Sequence, residues 1–197
     1  MIEFLSFQIE PLKRFKKHYF EAVEKNQPQA DAMCLSSVDL GIGQPDSRFV
    51  NLKYILDDEL IFFSNYKSKK SQQCISCSNI SCIFFWHATN LQIKVQGSVS
   101  RTPSDFSNSH FKSRSAEKNA LAISSMQSSK ISSYESVLQK YNKTLLNSDL
   151  FLRPKYWGGY SITPHYFEFW KGDPNRVNHR EEFKLKDNEW IYSILEP

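Results

Sequence analysis

Between Leu91 and Val99 the side chains alternate, with Leu91, Ile93 and Val95 on one side of an extended chain and Gln92, Lys94 and Gln96 on the other. Successive strand residues point to opposite faces, so this segment must lay one face on a core and turn the other outward. Shorter pieces repeat the theme. Ser47 to Ile55 alternates Arg48, Val50, Leu52 and Tyr54 against Phe49, Asn51 and Lys53, and a tight Asp57-Asp58 turn then leads into Glu59 to Ser64, a hairpin signal. Ala32 to Val38 reads as a first strand before the turn at Gly41 to Asp46, and Ser81 to Trp86 as another. Tyr160 to Trp170, Glu182 to Lys186 and Trp190 to Leu195 add three more, the last two joined by Lys186-Asp187-Asn188.

Helical spacing is confined to a few stretches. Pro11 to Asn26 places Leu12, Phe15, Tyr19 and Ala22/Val23 on one face and a basic face opposite, starting after a proline. Lys69 to Ser78, Pro103 to Ser113 and Ser132 to Leu146 are further candidates, the last with Tyr134, Val137, Leu138 and Tyr141 together. Strands follow one another without the regular strand-helix alternation of a parallel sheet, so the expected class is mainly β with flanking helices, an antiparallel barrel. The 197 residues suit one domain, 1–197. The longest apolar runs, Leu60 to Phe63 and Ile83 to Trp86, are far too short to cross a bilayer. The opening MIEFLSFQIEPLKRF lacks the features of a secretory signal, so a cytoplasmic protein is expected.

The charge excludes little by itself. Twenty-five Lys and Arg against 21 Asp and Glu give +4; Lys13-Arg14 and Lys16-Lys17 cluster near the start, and the other basic residues are distributed among acidic and neutral ones. A nucleic-acid footprint needs a basic stripe and a recognition motif, so small phosphorylated ligands fit at least as well. Cys74, Cys77 and Cys82 superficially match metal spacing, but Cys34 is distant and no histidine stands at a finger-like offset; buried reduced thiols and no metal are expected. No Gly-x-Gly-x-x-Gly or Walker-type loop is present.

Residues able to hold a phosphate are concentrated after the Leu60 to Phe63 strand. Ser64-Asn65-Tyr66-Lys67-Ser68-Lys69-Lys70 offers hydroxyl, amide and cationic donors running into a helix N-terminus. Arg48 and Lys53 share one strand five residues apart, so a regular pleat points them to opposite faces; either a bulge intervenes or they serve different groups.

Three C-terminal blocks carry more than core packing requires: Trp157-Gly158-Gly159-Tyr160, Glu168-Phe169-Trp170-Lys171-Gly172 and Arg176-Val177-Asn178-His179-Arg180. With the closing stretch Trp190 to Pro197 they resemble the C-terminal signature of the pyridoxamine/pyridoxine 5'-phosphate oxidase family. Arg48 to Lys53, Phe63 to Lys70 and Leu91 to Gly97 are similar to that family's flavin-binding blocks in the same order, so the resemblance covers about Ala32 to Pro197.

The resemblance implies a split β-barrel that binds flavin mononucleotide (FMN) and a homodimer with sites at its interface. About 155–197 would form the dimerisation and substrate-site region. It implies oxidation of pyridoxine or pyridoxamine 5'-phosphate to pyridoxal 5'-phosphate, with dioxygen as acceptor and hydrogen peroxide as product. Carried over by position, Arg48, Ser64, Lys69 and Lys70 hold the FMN phosphate, Gln92 reaches the flavin ring, Gln127 and Ser128 come from the facing subunit, and Trp170 and Arg180 complete the cofactor site. Lys53, His110, Arg114 and Lys118 fall where the substrate phosphate binds, and Arg176 and Asn178 beside the reacting carbon.

Several positions depart from the family pattern. Its usual Arg-Leu-His-Asp-Arg run is Arg-Val-Asn-His-Arg here, so Asn178 replaces a histidine and His179 an aspartate. His110 replaces tyrosine, Lys118 serine and Lys69 arginine; lysine matches the charge without the planar two-pronged contact. The alternatives are an FMN oxidase acting on another ring system, as phenazine-pathway relatives do, or a flavin or pyridoxal-phosphate binding protein without turnover.

Overall fold

The computed structural model describes residues 1–197. Six strands close into a ring: β2 (Ala32–Asp39), β3 (Gln44–Leu56), β4 (Glu59–Asn65), β5 (Asn79–Trp86), β6 (Leu91–Arg101) and β7 (Trp157–Lys171). Neighbours run β3-β2-β5-β6-β7-β4 and back to β3, all antiparallel, which leaves the ring without an open edge. The expected mainly-β barrel is the fold found. Two features of β7 organise the rest. Its first half pairs β4 and closes the barrel, while its second half pairs β8 (His179–Lys186), which forms a hairpin with β9 (Glu189–Leu195). At the bulge between Gln96 and Gly97 of β6 a side chain on Gly97 would collide with the carbonyl oxygen of Thr163, so β6 and β7 approach closely there because residue 97 is glycine.

Inward-facing Met33, Leu35, Leu52, Phe62, Phe84, Ile93, Val95 and Phe167 fill the barrel. Helix α1 (Glu10–Glu24) covers one end of this core, with Pro11 in its first turn, where the missing N–H costs nothing. Its Leu12, Phe15 and Tyr19 are fully buried, with Phe15 edge-on to Phe84 at 5.0 Å. The other helices are α2 (Lys69–Ser76), α3 (Ser104–Ser113), α4 (Ala116–Ser124) and α5 (Tyr134–Asn147). No helix is long and apolar enough to cross a membrane.

Three details differ from the sequence reading. Helix α4 was not foreseen, since only small Ala120 and Ala122 are its buried apolar residues and they give no clear period. A two-residue strand, β1 (Glu3–Phe4), pairs in parallel with β3 and is too short to show alternation. Helix α5 exists and lies beside α4, but it fully buries none of its residues; Val137, Tyr141 and Leu145 are half-buried, while Tyr134 is 71% and Leu138 44% exposed.

Candidate active site

A cavity of ≈ 600 Å³ opens where β3, β4, α2, α3 and α4 meet. Seven of the expected site residues line it: Lys53, Ser64, Lys70, His110, Arg114, Lys118 and Gln127. Ser64 is there because β4 ends at the barrel rim, and Lys70 because α2 starts four residues after that strand. Lys53 is there because it alternates with the buried Leu52 on the face that Phe49 and Asn51 also present to the cavity, and a register shift in β3 follows between Leu52 and Tyr54. Of the two possibilities left open by the spacing of Arg48 and Lys53, the second holds: Arg48 contacts a different set of groups.

Lys70 is the best-defined cation of the cavity. It is buried, and its ammonium donates to Ser64 Oγ (2.8 Å), Ser68 Oγ (3.1 Å) and Gln127 Oε1 (3.2 Å). No carboxylate pairs with it. Burial, reinforced by the nearby Arg48 charge, pushes its pKa down to about 8. Arg114 is similar. Its guanidinium lies over the Trp157 ring at 4.4 Å, one nitrogen donates to the Lys118 carbonyl, and Nη1 is buried without a partner. Burial lowers its pKa to about 10. Lys53 differs in being paired, with Asp31 at 2.8 Å.

The wall between these cations is aromatic. His110 stacks on Phe63 at 3.7 Å and lies parallel to Trp157, while Tyr54 meets its Nδ1 through the phenol oxygen at 2.8 Å. Burial, with Arg114 and Lys53 nearby, pushes the imidazole down to about 4, so it is neutral at physiological pH.

Arg48 and Lys69 do not line the cavity. Arg48 faces the barrel end, donating to Ser37 Oγ (2.6 Å) and Gln73 Oε1 (2.9 Å). The carboxylate of Asp46 bridges it, at 2.8 Å, to Lys69, at 3.1 Å. Sequence reasoning missed Asp46, although its place two residues before Arg48 on a strand, hence on the same face, was a usable signal.

The remaining residues form a second group. Gln92, Trp170 and Arg180 sit opposite one another across β6, β7 and β8, a single row on the outer face of the sheet. The Arg180 guanidinium grips Glu168 Oε1 at 2.8 and 2.9 Å, and Lys94 holds the other oxygen at 2.6 Å. Arg176 and Asn178 lie in the loop between β7 and β8, where Asn178 Oδ1 accepts from the Asp173 N–H at 3.1 Å and Arg176 is exposed with a positive φ. None of these five lines the cavity.

Gln127, expected from the resemblance to come from the facing subunit, meets Ser64 and Lys70 of its own chain here, because the loop after α4 folds back over the end of β4. Ser128 follows it with φ +73°, exposed and outside the cavity.

Comparison with known proteins bears on this arrangement. A family model described as pyridoxamine 5'-phosphate oxidase matches residues 19–145, and one described as the pyridoxine 5'-phosphate oxidase C-terminal dimerisation region matches 157–197. A pyridoxine/pyridoxamine 5'-phosphate oxidase of Leptospira biflexa is 35% identical over 191 residues, covering 95% of this chain and 89% of the relative. The chain belongs to the pyridoxine/pyridoxamine 5'-phosphate oxidase family. One of the pyridoxine/pyridoxamine 5'-phosphate oxidases of Hydrogenovibrio crunogenus is 34% identical, covering 96% of this chain and 89% of that protein.

Membership in this oxidase family makes the chain an oxidoreductase of the flavoprotein class. Two solved structures share the fold. PhzG of Burkholderia lata, in complex with tetrahydrophenazine-1-carboxylic acid, superimposes with a TM-score of 0.90 at 24% identity, over 95% of this chain and 93% of that one. A pyridoxamine 5'-phosphate oxidase-related, FMN binding protein of Nostoc punctiforme gives 0.80 at 16% identity, over 97% and 100%. The second group of residues, apart from Gln92, falls inside the segment matched by the family's dimerisation region.

Proposed function

We propose that this protein is an FMN-dependent oxidase that converts pyridoxine 5'-phosphate or pyridoxamine 5'-phosphate to pyridoxal 5'-phosphate, with dioxygen as acceptor and hydrogen peroxide as product. The observation that carries the reading is two cations without acidic partners in one cavity, the buried Lys70 and the half-buried Arg114. An unpaired cation shielded from water is costly, and a phosphate supplies the countercharge that Lys70 and Arg114 lack and an acceptor for the orphaned Arg114 nitrogen. These residues therefore fit a phosphorylated cofactor and a phosphorylated substrate.

Lys70 and Ser64 would hold the FMN phosphate, with Arg48 and Lys69 adding charge once Asp46 releases them. Arg114, Lys53 and Lys118 would hold the substrate phosphate, and the Phe63, His110 and Trp157 rings would exclude water beside it. FMN supplies a two-electron acceptor when bound, which no side chain of this protein can provide. Gln92, Trp170 and Arg180 would complete the site from the partner of a homodimer, since they occupy another face of their own chain. Arg176 would orient the substrate, and Asn178 would position it by hydrogen bonding, because an amide donates and accepts hydrogen bonds but does not take up a proton near neutral pH. On this reading residues 1–197 are one FMN-binding split-barrel domain, with about 155–197 supplying the dimer contact.

A second reading is an FMN oxidase of another ring system. Asn178 and His110 favour it, as does the fold shared with PhzG, since Arg114 can also pair a carboxylate. The test is a substrate panel on the purified, FMN-loaded protein, read by oxygen uptake and mass spectrometry of products. Peroxide and pyridoxal 5'-phosphate from either B6 phosphate support the first reading. Turnover of a cyclic carboxylic acid alone supports the second, and a bound flavin that no compound reduces leaves a binding protein.

A further inference from the structure

Tyr54 stands on β3 immediately after Lys53, and in a regular strand the two would face opposite ways. The register shift between Leu52 and Tyr54 changes this: Leu52 and Ile55 stay buried in the core, while Lys53 and Tyr54 both line the cavity. A bulge that re-aims a side chain beside a site is a recurrent device. The phenol ring is held edge-on by Phe106 (5.3 Å), His110 (5.3 Å) and Phe63 (6.1 Å). Its oxygen ends 2.8 Å from His110 Nδ1.

We propose that Tyr54 is a substrate-binding residue whose hydroxyl, fixed by His110, donates to the anionic group held by Lys53, Arg114 and Lys118. The proposal rests on the functional reading above and adds to it a contact from β3.

The hydrogen-bond inventory makes the pair directional. A neutral imidazole has one N–H. With that proton on Nε2, Nδ1 accepts from Tyr54 and only phenol lone pairs remain for the cavity, which repel an anion. With the proton on Nδ1, the imidazole donates to the phenol oxygen and frees the Tyr54 O–H to donate onward. An anion beside Lys53 and Arg114 selects the second arrangement. Stacking on Phe63 holds the ring so that Nδ1 faces the phenol. Burial, with Glu3 on the cavity rim, raises the Tyr54 pKa and keeps the proton available.

The test uses the full-length, FMN-loaded protein and two probes that cannot be oxidised at the reacting carbon: 4-deoxypyridoxine 5'-phosphate and 4-deoxypyridoxine. Both are titrated calorimetrically into wild type, Tyr54→Phe and His110→Phe. A hydrogen bond to a charged group is worth about 1.5–3 kcal/mol, so Tyr54→Phe should weaken the phosphorylated probe about tenfold or more. It should leave the unphosphorylated probe, flavin content and thermal midpoint unchanged. His110→Phe, which removes the holder and leaves the hydroxyl, should weaken the phosphorylated probe by a smaller factor. Tyr54→Phe that binds the phosphorylated probe like wild type, or that loses both probes equally, overturns the assignment while wild-type binding preserves the functional reading. Wild type that prefers neither probe overturns the functional reading and this assignment together.

Discussion

Replacing Lys70 by methionine should make the flavin-free protein more stable and its hold on FMN much weaker. Lys70 is 7% exposed, and its pKa falls from the ordinary 10.5 to about 8. At about 1.4 kcal/mol per pH unit, that displacement bounds the cost of keeping the ammonium charged in the folded state at about 3 kcal/mol. Solvent entering from the cavity reduces it to about 1–2 kcal/mol. Methionine matches the length and removes the charge, so at pH 7 the flavin-free Lys70→Met protein should melt a few degrees higher, at about 2–4 °C per kcal/mol.

The pH dependence carries the sign. A lysine whose folded pKa is depressed imposes its full cost below about pH 8. Between there and its ordinary value the unfolded chain binds more protons than the folded one, so wild-type stability from this group rises with pH and levels off above it. That rise should be missing in Lys70→Met. FMN affinity should fall by about a hundredfold, the loss of a charge-assisted contact to phosphate. Denaturant melts at stepped pH values, paired with flavin fluorescence titrations, measure both. A flavin-free variant less stable than wild type at pH 7, or one with wild-type affinity for FMN, would refute the reasoning.

Asp46→Asn should tighten FMN about two- to fivefold at low salt, the scale of an exposed ion pair, because it frees Arg48 and Lys69; equilibrium dialysis would show it, and added salt should erase the gain. Asn178→His should retain or raise activity on pyridoxine 5'-phosphate while His179→Ala changes it little, and Arg176→Ala should lower turnover more than flavin binding; steady-state and single-turnover rates separate these, with loss of flavin reduction confined to His179→Ala counting against Asn178. Sedimentation should find a dimer at micromolar protein that loosens when FMN is removed, since a ligand held by the assembled state stabilises it; an FMN-saturated monomer would rule out a site shared across the interface.

The strands could be read from sequence because each is buried on one face, and burial writes a period of two into residues such as Leu91, Ile93 and Val95. The same logic failed at Tyr54. It falls in phase with Arg48, Val50 and Leu52, so it reads as part of their face, and no residue type marks the bulge that turns it into the cavity. Tyr134 and Leu138 of α5 have the spacing of a core-facing stripe, but periodicity reports only that a face is apolar and not what covers it. The site was readable through the resemblance in residue types more than in placement. Lys70, Ser64, Arg114 and His110 do share a cavity, whereas Gln92, Trp170 and Arg180 align only across three paired strands, a register that single-strand patterns cannot supply. Asp46 and Glu168, which occupy the guanidiniums of Arg48 and Arg180, needed the folded chain to be seen.

The most direct test of the oxidase reading is anaerobic mixing of the FMN-loaded protein with pyridoxine 5'-phosphate while the visible absorbance of the flavin is followed. The account predicts that the flavin is bleached in a single turnover, and that admitting oxygen restores the colour and yields pyridoxal 5'-phosphate and peroxide in equal amounts. A flavin that stays oxidised with pyridoxine 5'-phosphate and with pyridoxamine 5'-phosphate would contradict it.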